Sequence, residues 1–184
     1  RWWNTLDNLQ DISSDYENQV SEWKNIFLDS INLRMRSDVP ICSALSGGLD
    51  SSSIVASMKY LSDNSVNKKR QGNWQGAFCS HFKGSSVDEL NWAEVITGEY
   101  KIPLIKMNID PLDNNFLINK ALRFMEDPYS TLPLPMLQTY KRIKDSGFTV
   151  SLDGHGADEM FSGYGHILRA LSDNLSRSQF KEIL

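Results

Sequence analysis

Apolar side chains recur at three- and four-residue steps at Val20, Trp23, Phe27, Ile31 and Met35. That spacing predicts an amphipathic helix from about Glu17 to Arg36. Ser37-Asp38-Val39-Pro40 ends it, because the residue before a proline is pushed out of helical geometry. Beyond it, short apolar runs alternate with helical patterns. Ile41 to Leu45, Ala77 to Phe82, Pro103 to Met107 and Phe148 to Leu152 read as strands bounded by turn residues. Ser52 to Leu61 reads as a helix with Ile54, Val55, Met58 and Leu61 on one side. Leu90 to Tyr100 reads as another, with Trp92, Val95, Ile96 and Tyr100 as its apolar face. Phe116 to Phe124 and Pro135 to Lys144 add two more. Arg1 to Asp15 reads as an extended lead-in, Asp63 to Gly76 as a polar, mobile loop, and Ile167 to Leu184 as a helix without a clear stop.

Strands alternating with helices predict an α/β fold. Right-handed crossovers then give a parallel sheet with helices on both faces. Ligands of such sheets bind outside the carboxyl ends of the strands. Two unusual loops fall there. "LSGGLDSSS", Leu45 to Ser53, follows the first strand, and "SLDGHGADEMFSGY", Ser151 to Tyr164, begins at the end of the fourth.

In the first loop, Gly47 and Gly48 permit positive φ and close backbone approach. Ser46, Ser51 and Ser52 offer hydroxyls, and the next helix points free N–H groups and its dipole at the loop. A phosphate or pyrophosphate suits that cradle. Asp50 does not suit direct phosphate contact, but it suits Mg²⁺ bridging to phosphates. This is not a Walker A loop, since GxxxxGK[ST] is absent. The plainer reading is a serine-capped helix start after a glycine turn. In the second loop, Asp153, Asp158 and Glu159 supply carboxylates, and one Asp from each loop could share a Mg²⁺. Asp153 and Glu159 could equally cap turns and the next helix.

Composition narrows the field. A length of 184 residues fits one domain, and 40% hydrophobic residues support a core. A net charge of −4 argues against nucleic acid as a partner. The run Lys68-Lys69-Arg70 reads as a solvated loop. Cys42 and Cys79 have no zinc-type spacing and read as buried free thiols in a reducing cytosol. No apolar run reaches membrane-spanning length. A cytoplasmic chain with no membrane partner is expected.

SGGLDS, followed about a hundred residues later by DGHGADEMFSGY, resembles the synthetase domain of asparagine synthetases and their relatives, the β-lactam synthetases and lasso-peptide cyclases. The resemblance runs from about Trp2 through Tyr164, and Arg34 to Ala56 is similar almost throughout. It implies an adenine-nucleotide α-hydrolase-like sheet, the PP-loop ATP pyrophosphatase type. It also implies ATP and Mg²⁺ as cofactors and adenylation of a carboxylate before amine attack. By the same resemblance, Leu45, Ser46, Gly47, Gly48, Leu49, Asp50, Ser51, Ser52, Ser80, Asp153 and Gly154 would meet the nucleotide. Asp50 and Asp158 would hold Mg²⁺. The substrate would be a small-molecule or peptide carboxylate, with peptide-maturation proteins as further partners.

Two departures bear on that substrate. His155 stands where asparagine synthetases carry Glu, and Ser130-Thr131-Leu132-Pro133 lacks their Arg. Both favour a peptide or macrolactam cyclase over aspartate chemistry. His155 is either a wall residue or an acid–base group active near neutral pH. His81 is a possible wall residue, and His166 reads as structural or exposed. The resemblance further implies one synthetase domain over residues 1–184, cut short at its C-terminus and without the family's glutaminase domain.

Overall fold

The apolar runs form four strands: β1 (Ile41–Ala44), β2 (Trp74–His81), β3 (Leu104–Asn108) and β4 (Val150–Ser151). They pair in parallel in the order β3-β2-β1-β4. The structure, a computed structural model, describes residues 4–8, 11–64, 74–109, 115–126, 134–161, 163–166 and 169. Six α-helices are described: α1 (Tyr16–Arg34), α2 (Leu49–Asn64), α3 (Leu90–Tyr100), α4 (Asn115–Met125), α5 (Leu134–Asp145) and α6 (Ala157–Phe161). A 3-10 turn, Thr5–Asn8, lies in the stretch expected to be extended.

Strand alternation sends neighbouring side chains to opposite faces of the sheet. Ala77 and Cys79 of β2 pack with Val55 of α2 and Ala93 of α3. Phe78, between them, packs on the other face with Cys42, Met107 and Ile143 of α5. Both faces are covered, as a parallel sheet requires. Ile31 and Met35, at and just beyond the end of α1, close a third cluster with Ile41 and Met58. The other end of that helix is less covered: Val20 and Trp23 are more than two-fifths exposed. Asp15 starts α1 by accepting from Asn18 N (2.9 Å).

Three sequence expectations are corrected. The apolar face assigned to α3 is wrong in part. Trp92 and Val95 are 66% and 63% exposed, while Leu90, Ala93 and Thr97 are buried. The helix runs so close to the first loop that a Cβ at Gly47 would lie 2.5 Å from Ala93 N. Trp92 Cβ would lie equally close, and the buried Thr97 satisfies its hydroxyl on Ala93 O (2.8 Å). Second, α2 begins at Leu49 rather than Ser52, so Asp50, Ser51 and Ser52 belong to its first turn. Third, β2 begins at Trp74, inside the stretch expected to be loop, and β4 is only two residues long. Lys68-Lys69-Arg70, Ser130-Thr131-Leu132-Pro133 and nearly all of 167–184 lie outside the described residues. Cys42 and Cys79 are buried free thiols as expected, and burial pushes each up to about 11.

Candidate functional site

The strand order reverses between β1 and β4, and both glycine-rich loops leave the sheet at that point. A crevice opens where connections diverge in this way. A cleft of about 700 Å³ occupies it. Leu45, Ser46, Gly48, Leu49, Asp50 and Ser51 line one side; Asp153, Gly154, His155, Gly156 and Asp158 line the other. Gly47 and Ser52 are not among the lining residues.

Serine hydroxyls shape the first loop. Gly48 N donates to Ser46 Oγ (3.2 Å), and that oxygen lies 3.0 Å from Ser51 Oγ. Ser46 N in turn donates to Ser51 Oγ (3.2 Å). The first bond within α2 is Ser52 N to Gly48 O (3.0 Å). The N–H groups of Leu49, Asp50 and Ser51 therefore precede the intrahelical ladder. They and the positive end of a 16-residue helix meet at the cleft. Gly47 serves the turn itself: its φ is +91°, and α3 leaves no room for a Cβ. Ser52 Oγ is buried with no hydrogen-bond partner.

The second loop passes against the first. A Cβ at Gly154 would lie 2.6 Å from Ser51 N and 2.8 Å from the Asp50 carbonyl carbon. Asp158 and Glu159 fall in the first turn of α6. Tyr164 OH donates to Glu159 Oε1 (3.0 Å). That bond, then burial, then the charges of Glu159, Asp158 and Asp50, push the Tyr164 phenol above its ordinary range. Among the described residues no group of three or more His, Cys, Asp or Glu side chains forms a metal cage. Asp50 and Asp158 both line the cleft from facing loops. Mg²⁺ needs only one or two carboxylates and keeps its waters, so this donor set fits that ion.

Sequence reasoning missed the far wall. Phe82, Val87, Glu89, Met136, Thr139 and Tyr140 also line the cleft. Met136 and Tyr140 stand four apart on α5, beside the buried pair Thr139 and Ile143. That double spacing was the available signal. Ser80, expected at the nucleotide, lies 2.7 Å from Thr139 Oγ1 and ties β2 to α5 at the cleft wall. His81 is not in the lining; its Nδ1 is 2.9 Å from Asp88 Oδ2. Burial opposes the Asp88 charge, but the nearby His81 imidazole and hydrogen bonds from Phe82 N and Leu90 N prevail and lower its pKa. His155 is exposed at the rim, and His166 stacks on Tyr164 (5.3 Å).

Residues 22–182 match one family, described as asparagine synthase. The chain belongs to the asparagine synthase family. Asparagine synthase domains have the PP-loop ATP pyrophosphatase fold, and the family uses ATP. The chain is 31% identical to asparagine synthetase [glutamine-hydrolyzing] 1 of Bacillus subtilis over 90% of its length, covering 24% of that relative. It is 32% identical to a putative asparagine synthetase of Methanocaldococcus jannaschii over 82% of its length, covering 27% of it. It is also 29% identical, over 80% of its length, to amidase chry2 of Gibberella zeae, covering 23% of it. The chain thus spans about a quarter of the length of these curated relatives. No helix among the described residues is long and apolar enough to cross a membrane.

Proposed function

We propose that this chain is the nucleotide-binding part of an amide-forming ligase that activates a carboxylate with ATP. The observation that carries the reading is the convergence of the α2 N-terminus, with its free N–H groups, and two loop carboxylates on one cleft at the strand switch point. In this reading the N–H groups of 49–51 and the hydroxyls of Ser46 and Ser51 hold the polyphosphate. Asp50 and Asp158 would hold Mg²⁺, which when bound neutralises the charge of the departing pyrophosphate. Leu45, Ser80 and Gly154 shape the nucleotide side of the cleft, and α5 with Phe82 and Val87 walls the remainder.

The substrate carboxylate oxygen attacks the α-phosphorus, the α–β anhydride bond breaks, and pyrophosphate leaves. An amine then attacks the activated carbonyl carbon and AMP departs. His155 lines the cleft at its rim, and in this reading it would meet the carboxylate or the amine. Its presence, in place of a Glu, favours a peptide or macrolactam substrate. The names of the two synthetase relatives favour a second reading, aspartate as acceptor. The test is exchange of labelled pyrophosphate into ATP in the presence of aspartate or of peptides with free carboxylates. Carboxylate-dependent exchange is expected. ATP binding without exchange for any carboxylate would leave a nucleotide-binding module and reject the ligase reading. Exchange with aspartate but no peptide would reject the cyclase preference.

A further inference from the structure

The carboxylate of Asp153 is built into the sheet. A parallel ladder would continue from the Cys42–Ser151 pair by joining Ala44 to β4. It stops instead. Leu152 N donates to Cys42 O (2.9 Å), while Leu152 O takes the Ser43 hydroxyl (2.5 Å). Ala44 N then donates to Asp153 Oδ1 (2.7 Å), and the Ser151 hydroxyl reaches the same oxygen (2.6 Å). From α5, Tyr140 OH donates to Asp153 Oδ2 (2.6 Å). Both oxygens are therefore engaged by the scaffold. Burial, then this hydrogen bond and the Asp153 charge, push the Tyr140 phenol well above its ordinary range.

Gly154, the next residue, presses against the first turn of α2. The side chain at 153 consequently sets how far the second loop stands from the first. A free carboxylate beside a polyphosphate would repel it. One that accepts three hydrogen bonds has both oxygens turned to the scaffold rather than to a ligand.

We propose, resting on the nucleotide reading of the cleft, that Asp153 is a positioning residue and Tyr140 its strut. Together they fix the second loop against the start of α2 and so set the separation between the phosphate cradle and Asp158. Asp153 then acts through the loop rather than by touching the nucleotide.

The test titrates Mg-ATP and AMP into wild type, Asp153→Ala, Asp153→Asn and Tyr140→Phe by calorimetry, with far-UV dichroism as the check on folding. Asp153→Ala should weaken Mg-ATP roughly tenfold and Tyr140→Phe about threefold, the scale of lost charge-assisted hydrogen bonds. AMP should stay within about twofold, since the positioned element is the polyphosphate cradle. Asp153→Asn should bind nearly as wild type, because the amide can accept from Ala44 and Ser151 and donate to the Tyr140 oxygen. An Asn variant as weak as the Ala variant would overturn the proposal, since the charge itself would then be acting on ligand or metal. Parallel loss of AMP, or unchanged Mg-ATP binding by Tyr140→Phe and Asp153→Ala, would overturn it too. If wild type binds no Mg-ATP, the nucleotide reading fails by itself. Positioning is then judged by the amide resonances of Asp50 and Ser51 in Tyr140→Phe: displacement supports it, and coincidence with wild type rejects it.

Discussion

The two glycine-rich loops look alike in sequence and are supported in different ways. The first runs into a 16-residue helix whose Val55 and Met58 are fully buried, and Leu45 at its start is 2% exposed. The second runs into a helix of five residues with no buried side chain, where Met160 and Phe161 are 67% and 59% exposed. Apolar packing holds the first loop. A carboxylate network and the close approach of Gly154 to α2 hold the second. The lesson is that glycine and acid residues at a strand end do not say what stiffens the loop. That depends on whether the next helix has a core to rest on.

The contrast is sharpest at the glycines. Gly47→Ala combines a φ of +91° with a Cβ 2.5 Å from backbone of α3, so it should cost about 3 kcal/mol or more in urea unfolding. Val55→Ala, behind the same loop, should cost about 2 kcal/mol by the same measurement. A loss of stability is also expected in alkali. Burial raises Cys42 and Cys79 from 9.0 to about 11, so the folded state holds their protons longer than the unfolded chain. Their contribution is complete below pH 9 and is lost as pH climbs toward about 11. Melting temperatures across that window should fall, and less steeply in a C42A/C79A double variant.

On the second loop the effects shrink. Gly156→Ala meets no neighbour within 4 Å and suffers only from its φ of +99°, so about 1 kcal/mol is expected. Met160→Ala should change stability by less than about 0.5 kcal/mol. A Met160 or Gly156 variant as damaging as Gly47→Ala would break the comparison, because it would place a packed core beneath α6.

The alternation of strands and helices was legible because each run was bounded by its own turn residues. The two loops were legible because glycine beside acid and serine is uncommon at a strand end. The packing side of α3 was not. Its large apolar residues suggested Trp92 and Val95, but Leu90, Ala93 and Thr97 face the core, and the Trp92–Ala93 backbone lies against the Gly47 turn. Nor was the short β4 legible, since nothing local marks the point where Asp153 replaces a ladder partner. Tyr140 escaped for a related reason: its partner lies 13 residues away and meets it only once α5 has packed on the sheet.

The central claim is that the two unlike loops form one Mg-nucleotide site. Calorimetric titration of Mg-ATP into wild type, Asp50→Ala and Asp158→Ala tests it most directly. Binding that requires Mg²⁺ and is lost in both folded variants, one from each loop, is expected. Binding that persists in either variant, or a folded wild type that takes up no Mg-ATP, would contradict it.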